Sequence, residues 1–304
     1  MDTLRLMHLF TRAVDLGSLS AVARESGTTQ PTVSKAINAL EAHVGVRLLE
    51  RSTTGLLATA EGLRFHERAR RLLDEYDDAL ADVRGHARQA QGLLRVNAPV
   101  ALGQFHLNAL AQEFLALHPD IEIELILDDR FVDLVGDGVD VAVRLGGPLP
   151  PDAVARTIAA SPRSLLAAPA YLARHPRIKL PDDLARHDFL RFAWLATGDE
   201  MALQRGAEVV KVTTRGRYRV NNALAIRDSL LAGAGIGLCP HWLVHDLVQA
   251  GQLVRVLPAW SGTPQQVALV YPSRRYQPAR ARLFMDFLAQ RIGALPGWMA
   301  TVDR

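Results

Sequence analysis

The chain has 304 residues, 49% hydrophobic and 22% charged, with a net charge of +3 at pH 7 and one cysteine, Cys239. That length exceeds one ordinary core and predicts about two domains; the composition excludes a disordered or fibrous chain, and a lone cysteine excludes an internal disulfide framework and fits a reducing compartment. The longest stretches without Asp, Glu, Lys or Arg (96–112, 229–245 and 256–273) are interrupted by Asn, Gln, Gly or Pro, so no membrane span is expected, and Met1–Arg5 shows no secretion signal, which together predict a cytoplasmic protein.

In chain order, Leu4, Leu6, Met7, Leu9, Phe10, Ala13 and Val14 recur at helical spacing, and Gly17 ends that helix. Ser20 is the expected N-cap of a short helix, Ala21 to Ser26, and Gly27 supplies a turn. Thr29 then caps a third helix that begins Gln30-Pro31-Thr32, where Pro31 costs no helical hydrogen bond. Its buried stripe is Val33, Ile37, Leu40 and Val44, which leaves Gln30, Thr32, Ser34, Lys35 and Asn38 as donors and acceptors near a helix N-terminus. Leu48 to Thr59, two short apolar runs around a turn with Gly55, reads as a β-hairpin wing. Each element alone fits a merely solvated helix or hairpin; their order specifies a winged helix-turn-helix over residues 1–58.

Residues 1–71 carry ten Lys/Arg against seven Asp/Glu, and residues 72–90 carry two against five. Positive charge is therefore local to the first segment, and locality matters because phosphate attraction is screened within about 8–10 Å. Thr59 caps a long helix to about Gln89, on which Phe65, Ala69, Leu72, Tyr76, Leu80, Val83 and Ala87 form one apolar seam. A small winged domain cannot cover such a seam, so residues 59–90 are expected to be a dimerising linker that pairs two recognition helices on two half-sites.

From Gly92 strands and helices alternate. Leu93–Asn97, Ile121–Leu127 and Val139–Val143 read as strands, Leu102–Leu117 as a helix and Phe131–Val135 as a short one. Further strand segments fall at 164–168, 189–192, 217–220, 236–239, 253–257 and 267–271, before a final helix Ala279–Ile292. The alternation predicts a mostly parallel sheet with helices on both faces.

Ser18-Leu19-Ser20-Ala21-Val22-Ala23, Thr29-Gln30-Pro31-Thr32-Val33-Ser34, Leu48-Leu49-Glu50-Arg51 and Thr59-Ala60-Glu61-Gly62 resemble the LysR-type transcriptional regulators. The likeness continues through Val139-Asp140-Val141-Ala142-Val143-Arg144, Ala168-Pro169-Ala170-Tyr171-Leu172 and Ala232-Gly233-Ala234-Gly235-Ile236-Gly237. The resemblance implies that Gln30, Pro31, Thr32 and Ser34 enter the major groove of double-stranded DNA. It also implies that Lys35 supports them and Arg51 anchors a phosphate, with Thr53 and Thr54 at the wing tip. In one departure, Thr54 stands where the family's wing often carries a basic residue, which predicts a flatter salt dependence.

For residues 91–304 the resemblance implies an α/β effector domain of two lobes, like periplasmic binding proteins: lobe I 91–161 and 265–304, lobe II 162–264. Crossovers are expected near Ala160-Ser161-Pro162 and Pro258 to Pro264. A small-molecule effector is expected between the lobes, against Pro99, Val100, Ala101, Asp129, Arg144, Phe192, Asn221, Asn222 and Pro240. The helix after Asn97 would offer backbone N–H groups to an anion, and its apolar Ala98-Pro99-Val100-Ala101 turn leans toward a carboxylate with an apolar portion. Arg144 either pairs with that carboxylate or bridges Asp128 or Asp129 as structure. A homodimer or homotetramer is the expected assembly, with no membrane partner.

Gly233-x-Gly235-x-Gly237 follows a helix and precedes a strand, the reverse of a dinucleotide loop, so close backbone packing explains it. His241 and His245 are spaced for a shared metal but lack an accompanying carboxylate motif, and Cys239 among apolar residues reads as inert packing. No metal, cofactor or catalytic function is expected. The rival reading is a solute-binding or enzymatic α/β protein with an incidental N-terminal extension; the missing secretion signal and catalytic motifs weigh against it.

Overall fold

The computed structural model describes residues 2–52, 55–83, 90–130, 134, 136–146, 153–193, 200–272 and 277–300. The chain divides into two units, Met1–Gln89 and Ala90–Arg304.

In the first unit the Asp2 carboxylate accepts from the Leu4 N–H at 3.1 Å and opens α1 (Thr3–Leu16), which ends where Gly17 takes a left-handed φ of 60°. The second helix, α2 (Leu19–Glu25), starts earlier than the sequence suggests. Ser18, not Ser20, is its cap: Ser18 has the extended backbone a cap requires and its hydroxyl accepts from the Ala21 N–H at 3.3 Å, whereas Ser20 is already helical. Thr29 caps α3 (Gln30–Val44), with Pro31 in the first turn. Val33, Ala36, Ile37 and Leu40 on α3 bury against Phe10, Val22, Leu48 and Leu49. Each buried Val, Leu, Ile or Phe side chain among them contributes about 1.5–3 kcal/mol.

The wing is an antiparallel hairpin of β1 (Leu49–Ser52) and β2 (Gly55–Ala58), with Leu49 opposite Ala58 and Ser52 opposite Gly55. Thr59 then caps α4 (Ala60–Val83), its hydroxyl oxygen accepting from the Gly62 N–H at 2.9 Å. The expected extension to Gln89 lies outside the described residues. Three elements meet at Leu48. Buried Glu41 of α3 accepts from the Leu48 and Leu49 N–H groups at 2.8 and 3.0 Å, and the Thr59 hydroxyl donates to the Arg47 carbonyl at 2.9 Å. Gly62 is required on the other side, because a Cβ there would stand 2.0 Å from the Leu48 carbonyl oxygen.

The second unit begins with β3 (Gly92–Ala98), then α5 (Val100–Leu102), which runs through a π-helical turn (Gly103–Leu107) into α6 (Asn108–Leu117). There follow β4 (Ile121–Leu127), β5 (Val141–Arg144), the long β6 (Ala153–Ala167), α7 (Pro169–Leu172) and a 3-10 turn (Pro181–Arg186). Next come β7 (Arg191–Phe192), β8 (Glu200–Arg205), β9 (Glu208–Thr213), β10 (Arg219–Val220), α8 (Ala223–Leu231), β11 (Ile236–Pro240) and α9 (His241–Gln249). The unit closes with β12 (Val254–Val256), β13 (Gly262–Pro272), α10 (Ala279–Ile292) and β14 (Met299–Ala300).

One eight-stranded sheet has the order β11-β6-β13-β5-β3-β4, with β12 and β14 also on β6. It joins two α/β lobes through β6 and β13. The expectation of a mostly parallel sheet is corrected: β6 is antiparallel to β11, β12, β13 and β14, and β13 is antiparallel to β5. Among the described residues parallel strands are β3 with β4 and β5, and β7 with β10, with isolated parallel bridges at Asp188–Arg215 and Phe189–Ile236. The reason is that the two long strands cross between lobes and so run against their neighbours. Their register shifts between Gly262 and Gln265, opposite Arg163 and Ser161, and again between Val267 and Ala268. The short helix expected at Phe131–Val135 falls mostly outside the described residues.

Candidate functional site

On α3 the Thr29 cap fixes the first turn, with the Thr29 and Thr32 hydroxyls 2.8 Å apart. Pro31, Thr32 and Lys35 are exposed, and Gln30 and Ser34 are half-buried with their turn at the surface. Uncapped N–H groups of that turn add partial positive charge beside these donors and acceptors. A groove of about 460 Å³ opens between α3 and the hairpin, with Ser34 and Asn38 on one side and Glu50 and Leu56 on the other. Arg47, whose side chain is 81% exposed, also lines it. Sequence reasoning passed over Arg47; its signal is its place between the helix and the wing. Arg51 lies on β1 opposite Leu56, while Thr53 and Thr54 are outside the described residues.

The α4 seam starts inside the winged unit and leaves it. Phe65 packs on Phe10 with ring centroids 5.6 Å apart, and Ala69 is buried. One and two turns later Leu72 and Tyr76 are 50% and 45% exposed. Ala87 is outside the described residues.

In the second unit the candidate cleft residues stand at or just beyond the carboxyl ends of β3, β4, β5, β7, β10 and β11, where open α/β sheets place ligands. The structure brings three of them together. Asp129 accepts from the Val100 N–H at 3.1 Å and from the Asn222 side-chain amide at 3.2 Å. Asn222 at the same time caps α8, accepting from the Ala225 N–H at 3.1 Å. The N–H expected to await an anion is thus already met by the protein's own carboxylate. Burial raises the Asp129 pKa above the usual carboxylate range, with the Asp128 charge adding to it, and the two hydrogen bonds oppose the shift.

Arg144 is likewise engaged. It donates to the Asn97 side-chain carbonyl at 2.6 Å, and Asn97, fully buried, donates in turn to the Ile126 carbonyl at 3.2 Å. Burial depresses the Arg144 pKa, and Asp128 partly restores it. Neither open alternative for Arg144 describes this contact: its short hydrogen bond is to a buried amide that the sequence reading used only as a boundary. Phe192 is half-buried against the core and Asn221 is exposed. Ala101, 1% exposed, belongs to the core, and Pro240 is buried, so neither offers an open wall.

Residues 4–63 match the bacterial regulatory helix-turn-helix protein family, lysR family, and residues 87–293 match the LysR substrate binding domain. The chain belongs to the LysR family of transcriptional regulators. This LysR-type regulator is 35% identical over 298 residues to the HTH-type transcriptional regulator PtxR of Pseudomonas aeruginosa, covering 97% of this chain and 96% of the relative. It is 30% identical over 292 residues to the HTH-type transcriptional activator TtdR of Escherichia coli, covering 94% of each. Among solved structures it is similar to full-length AphB, the Vibrio cholerae virulence activator (29% identity, TM-score 0.58, 95% of this chain and 99% of that one). It is also similar to CrgA of Neisseria meningitidis (27% identity, TM-score 0.61, 95% and 98%). These families and relatives are regulators, not enzymes.

The LysR-type regulator joins a DNA-binding helix-turn-helix to an effector-binding domain. Other motifs of its sequence serve packing. A Cβ at Gly235 would stand 2.4 Å from the Asp188 carbonyl oxygen, which accounts for the glycine-rich turn. The Cys239 thiol is fully buried and pushed up to about 12 by that burial. His241 lies 2.8 Å from the Ser164 hydroxyl, and burial lowers its pKa. Among the described residues no group of His, Cys, Asp and Glu is placed to hold a metal, and no helix is long and apolar enough to cross a membrane.

Proposed function

We propose that this LysR-type regulator reads its operator with the first turn of α3: Gln30, Pro31, Thr32 and Ser34 at base edges in the major groove, Lys35 beside them and Arg51 on a phosphate. The observation that carries this reading is the exposure of Pro31, Thr32 and Lys35 on a helix whose opposite face is fully committed to the core. Thr53 and Thr54 give the wing a lesser, uncharged role. The proposed division is 1–58 for DNA binding, 59–90 for dimerisation and 91–304 for effector binding, the last with lobe I at 91–161 and 265–304 and lobe II at 162–264. Exposed Leu72 and Tyr76 support a homodimer through α4, and dimers pair into a homotetramer. The protein works in the cytoplasm, where its DNA is.

The proposed effector is a small carboxylate with an apolar portion, bound between the lobes near half-buried Pro99, Val100 and Phe192. It favours one lobe arrangement and so shifts the equilibrium among DNA-bound states. The test is a gel shift at ~150 mM salt, a physiological ionic strength, with DNA upstream of the protein's own gene. Wild-type protein prefers that DNA over random duplex and T32A loses the preference. Equal binding of both duplexes by wild type overturns the reading.

A further inference from the structure

In the second unit the fold supplies its shielded arginines with acceptors. Arg95 donates to Glu124 at 2.6 Å, Arg191 to the Thr214 hydroxyl at 2.7 Å, Arg227 to Asp246 at 2.7 Å and Arg280 to the Leu93 carbonyl at 2.9 Å. Arg144 has Asn97 at 2.6 Å. Arg163 is different. It is half-buried, and its Nε, like that of Arg191, is shielded from solvent with no acceptor; the difference lies at its terminal nitrogens. Its Nη2 reaches only the Leu238 carbonyl, at 3.4 Å, beyond good hydrogen-bond length. It has no carboxylate partner among the described residues. Desolvation lowers its pKa, and the partial offset comes from the Cys239 thiol, a group that burial itself keeps protonated.

The position of Arg163 matters as much as its lack of partners. It lies on β6 opposite Pro240 of β11 and Gly262 of β13, at one of the two register shifts of the β6–β13 pair. Neither neighbour has a side-chain acceptor. Pro240 ends β11, so the backbone of Arg163 stands by a carboxyl end of the sheet, and its guanidinium reaches back along β11 to the Leu238 carbonyl. A shielded cation is unfavourable unless an anion meets it, and a guanidinium fork is built to hold two oxygens of an oxyanion at once.

We propose that Arg163 is the anion anchor of the effector site, gripping a carboxylate or phosphate of the ligand while half-buried Leu238 contacts its apolar part. The proposal rests on the reading of this unit as the effector domain. It assigns the anchoring role to Arg163 because the Val100 N–H and Arg144 are held by Asp129 and Asn97.

The test melts the full-length protein with hexanoate, its neutral isostere hexanamide, or inorganic phosphate. Hexanoate or phosphate raises the wild-type Tm by about 2–4 °C, and hexanamide does not; which of the two anions acts identifies the oxyanion. R163Q loses the response, R163K keeps part of it, and R144Q, compared with its own ligand-free Tm, retains it. Without ligand R163Q melts no lower than wild type, because it sheds an unpaired charge. An anion response that persists in R163Q, a response lost in R144Q alone, no wild-type response to either anion, or a lower ligand-free Tm for R163Q overturns the proposal. Specific DNA binding is scored separately on wild type, and its failure counts against the regulator reading instead.

Discussion

On α3, polar side chains stand in solvent above a core that is already complete; in the cleft, polar side chains are joined to one another. Thr32 and Lys35 are exposed and Val33 and Ile37 beneath them are buried, so the proposed reading surface carries little structural duty beyond the Thr29–Thr32 hydroxyl contact. Asp129, Asn222, Asn97 and Arg144 instead close hydrogen bonds between strand ends and helix starts. The difference suits the partners. A DNA duplex brings its own acceptors and donors to a preset surface, whereas a small ligand must join or displace a network the protein has already satisfied.

Breaking the support of the reading helix is expected to have the largest effect. E41A leaves the Leu48 and Leu49 N–H groups without their acceptor in a buried site, at a cost of about 3 kcal/mol. In calorimetry the transition of the N-terminal unit moves down. An unchanged melt would mean that water replaces the carboxylate. Changes on the reading face behave oppositely. Q30A or T32A lowers operator affinity by about 1–3 kcal/mol with no change in Tm, and K35A lowers affinity for all sequences and flattens the salt slope in a titration. A loss of stability in Q30A or T32A would erase the contrast with the cleft.

S18A removes the cap of α2 and costs about 1 kcal/mol by denaturant midpoint, while S20A has little effect, which separates the two candidate caps. In the cleft the smallest effect is expected, and it depends on pH. Because the folded-state pKa of Asp129 is raised, its relative contribution is favourable at low pH and is lost as pH rises through that value. D129N therefore gains stability on wild type near pH 7, and the gain shrinks as pH falls. A gain that grew on acidification would show that the Val100 and Asn222 hydrogen bonds outweigh the burial of charge.

The first unit was largely legible from residues close in sequence. Gly17, Thr29 and Pro31 mark helix ends by local backbone chemistry, and the Val33, Ile37 and Leu40 stripe gives the buried face. The one slip, Ser20 for Ser18, arose because both serines precede an apolar run and only the backbone dihedral tells them apart. In the second unit the strands at 92–98, 121–127 and 236–240 were recognisable as apolar runs, but the β8–β9 hairpin was not, because its exposed residues break the pattern.

What the sequence by itself determined is the kind of protein, since a helix-turn-helix is written in caps, turns and a helical stripe that span few residues. The capped helix proposed to read DNA, α3, was visible for the same reason. The tertiary structure alone decided what each cleft residue faces. Asp129 meets Asn222 across 93 positions, Arg144 meets Asn97 across 47, and Arg163 is set beside Leu238 across 75. Such pairs depend on strand direction and register, and a shift of one residue turns every side chain to the other face.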